Sequence, residues 1–127
     1  MNYENPLQRI PQKGDPIDAD SRMGADELAS SIWETLGCTE TLSLPFIRQV
    51  LDDITLFDLK QHDRGPGNIQ RFGEKGIIIR MADKYEKIYT SGWEERTLVG
   101  SEPVEQEYAD MAVYSVIARL VRKGEWK

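Results

Sequence analysis

Apolar residues recur at helical spacing along most of the chain, and no segment alternates apolar and polar residues as a half-exposed β-strand would. Stretches that contain glycine and proline separate four such segments, because these residues do not continue a helix. The segments cover about 25–36, 44–61, 69–88 and 103–123. We therefore predict an all-α fold, a four-helix-type bundle that forms a single domain over residues 23–127.

Glycine and proline also predict where the helices begin and end. Gly37 and Gly124 are expected to end the first and last helices, and Pro45 and Pro103 to lie in the first turns of the second and fourth. Residues 62–68 and 90–101 are predicted loops, and residues 1–22, which contain three prolines, are predicted to form an extended or flexible arm.

Composition excludes several kinds of site. One cysteine cannot form an internal disulfide, and one histidine cannot build a histidine-rich zinc site. A net charge of −6 makes nucleic acid an improbable partner. No apolar stretch is long enough to span a membrane and no signal peptide is recognisable, so we expect a cytoplasmic protein. Any metal would be held by carboxylates, which favour Mg²⁺ or Mn²⁺.

The acidic residues of the last two helices are the most informative candidates. Asp83 and Glu86 are three residues apart on the third helix, and Glu107 and Asp110 are three apart on the fourth. Residues at this spacing share one face of a helix. The stripe of the second pair continues through Tyr114 toward apolar residues, so this pair is expected to face the core rather than solvent.

Two interpretations of these acids remain open. Buried carboxylates that lie together need cations, and one or two divalent ions could supply the charge, hold a polyphosphate and activate water. Alternatively, Asp83 pairs with Arg80 or Lys87 and Glu107 pairs with a basic neighbour, which would leave ordinary ion pairs.

The segment 62–68 is a second candidate site. Two glycines that flank a proline can present backbone N–H groups to an anion, and Asn68 could cap the following helix, whose N-terminus attracts phosphate. The simpler interpretation is a plain turn between helices, in which His62 has a structural or capping role.

Five short motifs occupy residues 61–69, 73–76, 80–84, 110–115 and 123–126. Together they resemble the phage and bacterial nucleotide-modification-associated domain family over about residues 60–126. That family is similar in layout to the all-α nucleoside triphosphate pyrophosphohydrolases of the MazG and dimeric dUTPase type, whose acidic signature is E-x-x-E followed by E-x-x-D. The departures are Asp83 in place of the first Glu, Arg64 in place of a tyrosine and Val113 in place of an asparagine.

This resemblance implies a MazG-like bundle that hydrolyses a (deoxy)nucleoside triphosphate to the monophosphate and pyrophosphate with Mg²⁺ or Mn²⁺. It also implies assembly into a homodimer or homotetramer, in the host cytoplasm if the chain is phage-encoded. Glu86 would be either the fourth ligand or the catalytic base that orients water, and Lys84 would stabilise the developing phosphate charge. The implied metal ligands are Asp83, Glu86, Glu107 and Asp110, and the implied substrate-binding residues are His62, Asp63, Asn68, Arg80 and Lys84.

Two other functions are compatible with the same residues. A nucleotide-binding or nucleotide-sequestering module that does not hydrolyse its ligand would explain the departures at Arg64 and Val113. A bundle that only contacts other proteins would suit the negative charge and the N-terminal arm, and its acids would be paired with basic side chains rather than with metal.

Overall fold

The all-α prediction is confirmed in the computed structural model of the protein, which describes residues 19–100 and 102–127, with side chains from residue 24 onward. These residues form four α-helices and one π-helical turn, and none of them lies in a strand. The chain divides into two compact units, residues 1–59 and 60–127, with the boundary inside the second helix. Most of the predicted arm lies outside the described residues.

The first unit contains α1 (Ala19–Thr35) and most of α2 (Ser43–Arg64). α1 begins six residues before the predicted start, so residues 19–22 are helical rather than part of an arm. The end of α1 is as predicted: Gly37 has a φ of 71°, and the N–H of Cys38 donates to the carbonyl of Trp33 as in a Schellman cap. Arg48 of α2 forms ion pairs with Asp26 and Asp52.

The turn between the second and third helices is shorter than the sequence predicts. α2 extends through His62 and Asp63 to Arg64, and α3 (Gly67–Ile88) starts after only Gly65 and Pro66. Asn68 is therefore inside α3 and does not cap it; no side-chain cap was found at this end of the helix. The prediction of a seven-residue loop was wrong because, of the two glycines in this region, only Gly65, whose φ is 67°, has a positive φ that ends the helix.

The second unit is built on α3 and α4 (Val104–Arg122), which are antiparallel neighbours. Glu74 near the start of α3 pairs with Arg122 at the end of α4, and Lys87 near the end of α3 approaches Glu107 at the start of α4. Ile77 of α3 and Ile117 of α4 lie at the same level of this pair and are both buried. This register determines which polar residues of the two helices meet.

α3 is kinked rather than continuous. Gly73 has a φ of 60° and a ψ of −153°, a conformation that residues with a Cβ atom almost never adopt. Gly76 follows closely, and a Cβ atom there would lie 2.6 Å from Cβ of Phe72. The two glycines thus allow the helix to change direction before the stretch that faces α4.

The predicted loop after α3 begins as helical structure. A π-helical turn, Tyr89–Trp93, continues directly from α3, and irregular chain follows only from Glu94. The rings of Tyr85, Tyr89 and Trp93 follow one another along this end, with centroids 6.2 and 6.3 Å apart. Among the described residues, no helix has the length and apolar character needed to cross a bilayer.

We predict that Gly73→Ala lowers the free energy of unfolding by about 1–3 kcal/mol, because alanine must adopt a backbone conformation that glycine alone tolerates. Thermal denaturation followed by circular dichroism would measure the loss. Gly67→Ala is the matched control: a Cβ would meet nothing within 4 Å at either glycine, but Gly67 has no positive φ. Equal melting temperatures for the two variants would contradict the assigned kink.

Candidate functional site

The acidic pair of α4 faces inward, as its position in the apolar stripe predicts. Glu107 is 1% exposed and Asp110 is 7% exposed. They lie one turn apart near the helix N-terminus, where the partial positive charge of the backbone favours acids. Two buried like charges this close repel each other, so the arrangement requires compensating positive charge.

Lysine side chains supply that charge. Nζ of Lys84, on α3, lies 3.0 Å from Oε2 of Glu107 and 3.0 Å from Oδ2 of Asp110. Nζ of Lys60, near the end of α2, lies 2.8 Å from Oδ1 of Asp110. Nζ of Lys87 is 3.8 Å from Oε1 of Glu107. We refer to these five residues, all within the second unit, as the lysine–carboxylate cluster.

The two carboxylates are held differently. Oδ1 of Asp110 accepts hydrogen bonds from Nζ of Lys60 at 2.8 Å and from Nε2 of Gln106 at 3.0 Å. The partners of Glu107 are ammoniums: Nζ of Lys84 lies 3.0 Å from Oε2 and Nζ of Lys87 lies 3.8 Å from Oε1, and no other side chain among the described residues donates to its buried oxygens. Glu107 is thus held by lysine ammoniums alone, whereas Asp110 also accepts a hydrogen bond from an amide.

These contacts shift the pKa of two members of the cluster, Asp110 and Lys84. Burial acts to raise the pKa of Asp110, but Lys60 and Lys84 outweigh it and the pKa is lowered from its ordinary value. Burial acts to lower the pKa of Lys84, yet the carboxylates of Asp110 and Glu107 raise it above its ordinary value. Asp110 and Lys84 are therefore both charged at neutral pH.

The predicted acids of α3 do not join this cluster. The side chain of Asp83 is 64% exposed and pairs with Lys87 at 3.4 Å, one turn away, as the ion-pair alternative anticipated. Glu86, the predicted base, is also exposed. Within the part of the chain that the structure describes, no three acidic, histidine or cysteine side chains are grouped as metal ligands. The four predicted ligands therefore do not converge within one chain.

The predicted substrate-binding residues are dispersed over the second unit. The side chains of His62 and Asp63 are 88% and 75% exposed and lie 3.5 Å apart, and Asn68 is exposed in the first turn of α3. Arg80 instead points toward α4, where it donates a hydrogen bond of 3.2 Å to the hydroxyl of Tyr114. Of the five predicted substrate-binding residues, only Arg80 and Lys84 lie on the face of α3 that meets α4.

Sequence reasoning gave no role to Lys60 and Gln106, two partners of Asp110. Gln106 is four residues before Asp110 and could have been found from helical spacing alone. Lys60 is 50 residues away, and nothing local in the sequence connects it with Asp110.

The divalent ion that the sequence suggests would find two buried carboxylates as ligands in this cluster. Mg²⁺ is commonly held by one or two carboxylates together with phosphate oxygens and water, so Glu107 and Asp110 suffice for such a site. The buried oxygens of Glu107 contact lysine ammoniums, and the Lys84 ammonium places a positive charge between the two carboxylates. Two carboxylates could hold such an ion only together with phosphate oxygens and water, and only where the ion takes the place of lysine ammonium.

Comparison of the chain with protein-family models, with curated proteins and with solved structures finds no match.

We predict that Asp110→Asn is less stable than the wild type by about 2 kcal/mol at pH 7, because it removes charge-assisted hydrogen bonds. The folded pKa of Asp110 is lowered, so its contribution is present above the ordinary aspartate pKa and is lost as pH falls below about 4. Urea denaturation at a series of pH values would measure this. Asp58→Asn, at an exposed position of α2, is the control; a pH-independent difference for Asp110→Asn would refute the assignment.

We also predict that Lys84→Met costs about 3 kcal/mol of stability, because it leaves Glu107 buried beside Asp110 with less compensation. Adding Glu107→Leu to this variant should recover much of the loss, since an apolar pair replaces a broken ion pair. A double-mutant cycle by chemical denaturation measures the coupling. Arg122→Met breaks the exposed ion pair with Glu74 and should cost under about 1 kcal/mol. Additive effects of Lys84→Met and Glu107→Leu would exclude the buried pair.

Proposed function

We propose that the protein is an Mg²⁺-dependent nucleoside triphosphate pyrophosphohydrolase, which converts a (deoxy)nucleoside triphosphate to the monophosphate and pyrophosphate. The observation that supports the proposal is the buried pair Glu107 and Asp110, which faces lysines across two antiparallel helices. A nucleotide polyphosphate with its divalent ion brings charges of both signs, and this cluster has a matching partner for each.

The acidic and the basic residues of the cluster would have different roles in the reaction. Glu107 and Asp110 would hold the ion, which when bound supplies polarisation of the phosphates and activation of water. Lys84, Lys60 and Lys87 would donate to phosphate oxygens and stabilise the charge that develops on the leaving pyrophosphate. Exclusion of water from the interior of the helix pair strengthens these interactions.

The remaining predicted residues would act at the edge of the cluster. Asp83 and Glu86 lie on exposed faces of α3, so as metal ligands or as a base they would need to turn toward the substrate. His62, Asp63 and Asn68 are exposed and available to contact the base or the sugar. Arg80, anchored on Tyr114, would meet phosphate only by leaving that hydroxyl.

We further propose that the protein acts as a homodimer or homotetramer. Large apolar side chains remain exposed on α3, and burying such surface against a second copy is the usual way in which helical proteins complete a core. Phe72 is 58% exposed, Ile78 57%, Ile79 70% and Tyr85 56%.

A non-hydrolysing nucleotide-binding module is the second candidate. The exposure of Glu86 favours it, because no carboxylate beyond the two that would hold the ion lies buried in the cluster as a base. Such a module would bind nucleotide at the same lysines without releasing pyrophosphate.

Incubation with each canonical and several modified (d)NTPs plus Mg²⁺ should release pyrophosphate from at least one, and Glu107→Gln should reduce the rate by about 100-fold or more, because it weakens the hold on the ion. Glu74→Gln, a surface substitution of the same kind, should retain the wild-type rate. Saturable nucleotide binding without product would favour the second candidate. If the protein neither binds nor hydrolyses any nucleotide, both candidate functions are refuted.

A further inference from the structure

Lys84 occupies the position between the two buried carboxylates of α4 that a shared cation would take, with its Nζ at 3.0 Å from an oxygen of each. On the basis of the proposed function, we propose that Lys84 is an exchangeable counter-ion. Its ammonium neutralises Glu107 and Asp110 in the free protein, and it leaves them for a phosphate oxygen when a divalent cation and a polyphosphate bind.

Among the three lysines of the cluster, only Lys84 bridges both carboxylates. Lys60 contacts Asp110 and also donates a hydrogen bond to it at 2.8 Å. Lys87 is 3.8 Å from Glu107 and is shared with the exposed carboxylate of Asp83. Loss of the Lys84 ammonium would therefore uncover one oxygen of each acid at once, which the loss of either other lysine would not.

The way Glu107 is held makes the exchange feasible. Lysine ammoniums are the partners of its buried oxygens among the described residues, so a divalent ion would replace one positive charge with another and would break no hydrogen bond from a neutral group. A divalent ion offers twice the charge to the same oxygens, and carboxylate oxygen is the ligand that Mg²⁺ and Mn²⁺ prefer.

Lys84 also has a route out of the cluster. Its side chain is 17% exposed, whereas that of Glu107 is 1% exposed, so part of the lysine side chain reaches solvent and the acid does not. A lysine stem has four rotatable carbons and can move its charge by several ångströms without any change in the helix. Phosphate oxygens then replace the carboxylates as its partners, so the ammonium is never left unpaired.

Direct binding of Mn²⁺, without nucleotide, tests the exchange. Electron paramagnetic resonance of free Mn²⁺ would give the Kd for the wild type, Lys84→Met and Lys75→Met. We expect the Kd of Lys84→Met to be lower than that of the wild type by about tenfold or more, because the competing ammonium is gone. Lys75 is exposed on the same helix, so Lys75→Met makes the same change in net charge and should leave the Kd near the wild-type value.

A second variant assigns the ion to the cluster. Adding Glu107→Gln to Lys84→Met should abolish the gain in Mn²⁺ affinity. If Lys84→Met is unfolded in EDTA, Mn²⁺ should restore its helical circular dichroism while sodium at equal ionic strength should not, because an ion that binds only the folded state stabilises it. An unchanged or higher Kd for Lys84→Met, or no recovery with Mn²⁺, would overturn the proposal.

These results separate the exchange from the hydrolase activity. Tighter Mn²⁺ binding by Lys84→Met in a protein that releases no pyrophosphate from any nucleotide would support the counter-ion and refute the hydrolase. Pyrophosphate release by the wild type, with no effect of Lys84→Met on Mn²⁺ binding, would support the hydrolase and refute the counter-ion.

Discussion

Lysine ammoniums make it possible for two carboxylates to lie buried one turn apart on α4. Glu107 and Asp110 would repel each other strongly in a dry interior, and Lys84 compensates both of them at 3.0 Å. The compensation comes from α3 and from the end of α2, so it depends on the antiparallel register of α3 and α4. The packing of α3 against α4 therefore determines which charged groups meet, because a shift of one helical turn would separate Lys84 from both acids.

The fold was largely predictable, because helical periodicity survives in each segment and glycine marks the ends. Gly37 and Gly124 end their helices as expected, with backbone hydrogen bonds typical of glycine caps. The errors lie where a local rule was applied too strictly. A seven-residue loop was predicted between α2 and α3, but only a short turn at Gly65 separates the two helices. Gly73 bends a helix that was predicted to be continuous. A glycine permits several conformations, and tertiary packing selects among them.

The candidate site was predictable only in part. The inward face of Glu107 and Asp110 follows from their place in the apolar stripe of α4, which is a local property. The grouping of Asp83 with them does not follow from spacing, because the rotation of α3 about its axis decides whether position 83 or position 84 faces α4. Lys84 takes that place. The contribution of Lys60 requires knowledge of how distant helices pack, which no motif in this single sequence contains.

The division of the chain inside α2 leaves all five members of the lysine–carboxylate cluster on one side of the boundary. Lys60 is the first residue of the second unit, so every charged group that meets Glu107 or Asp110 among the described residues follows that boundary in the sequence. Substitutions in residues 1–59 therefore leave the composition of the cluster unchanged.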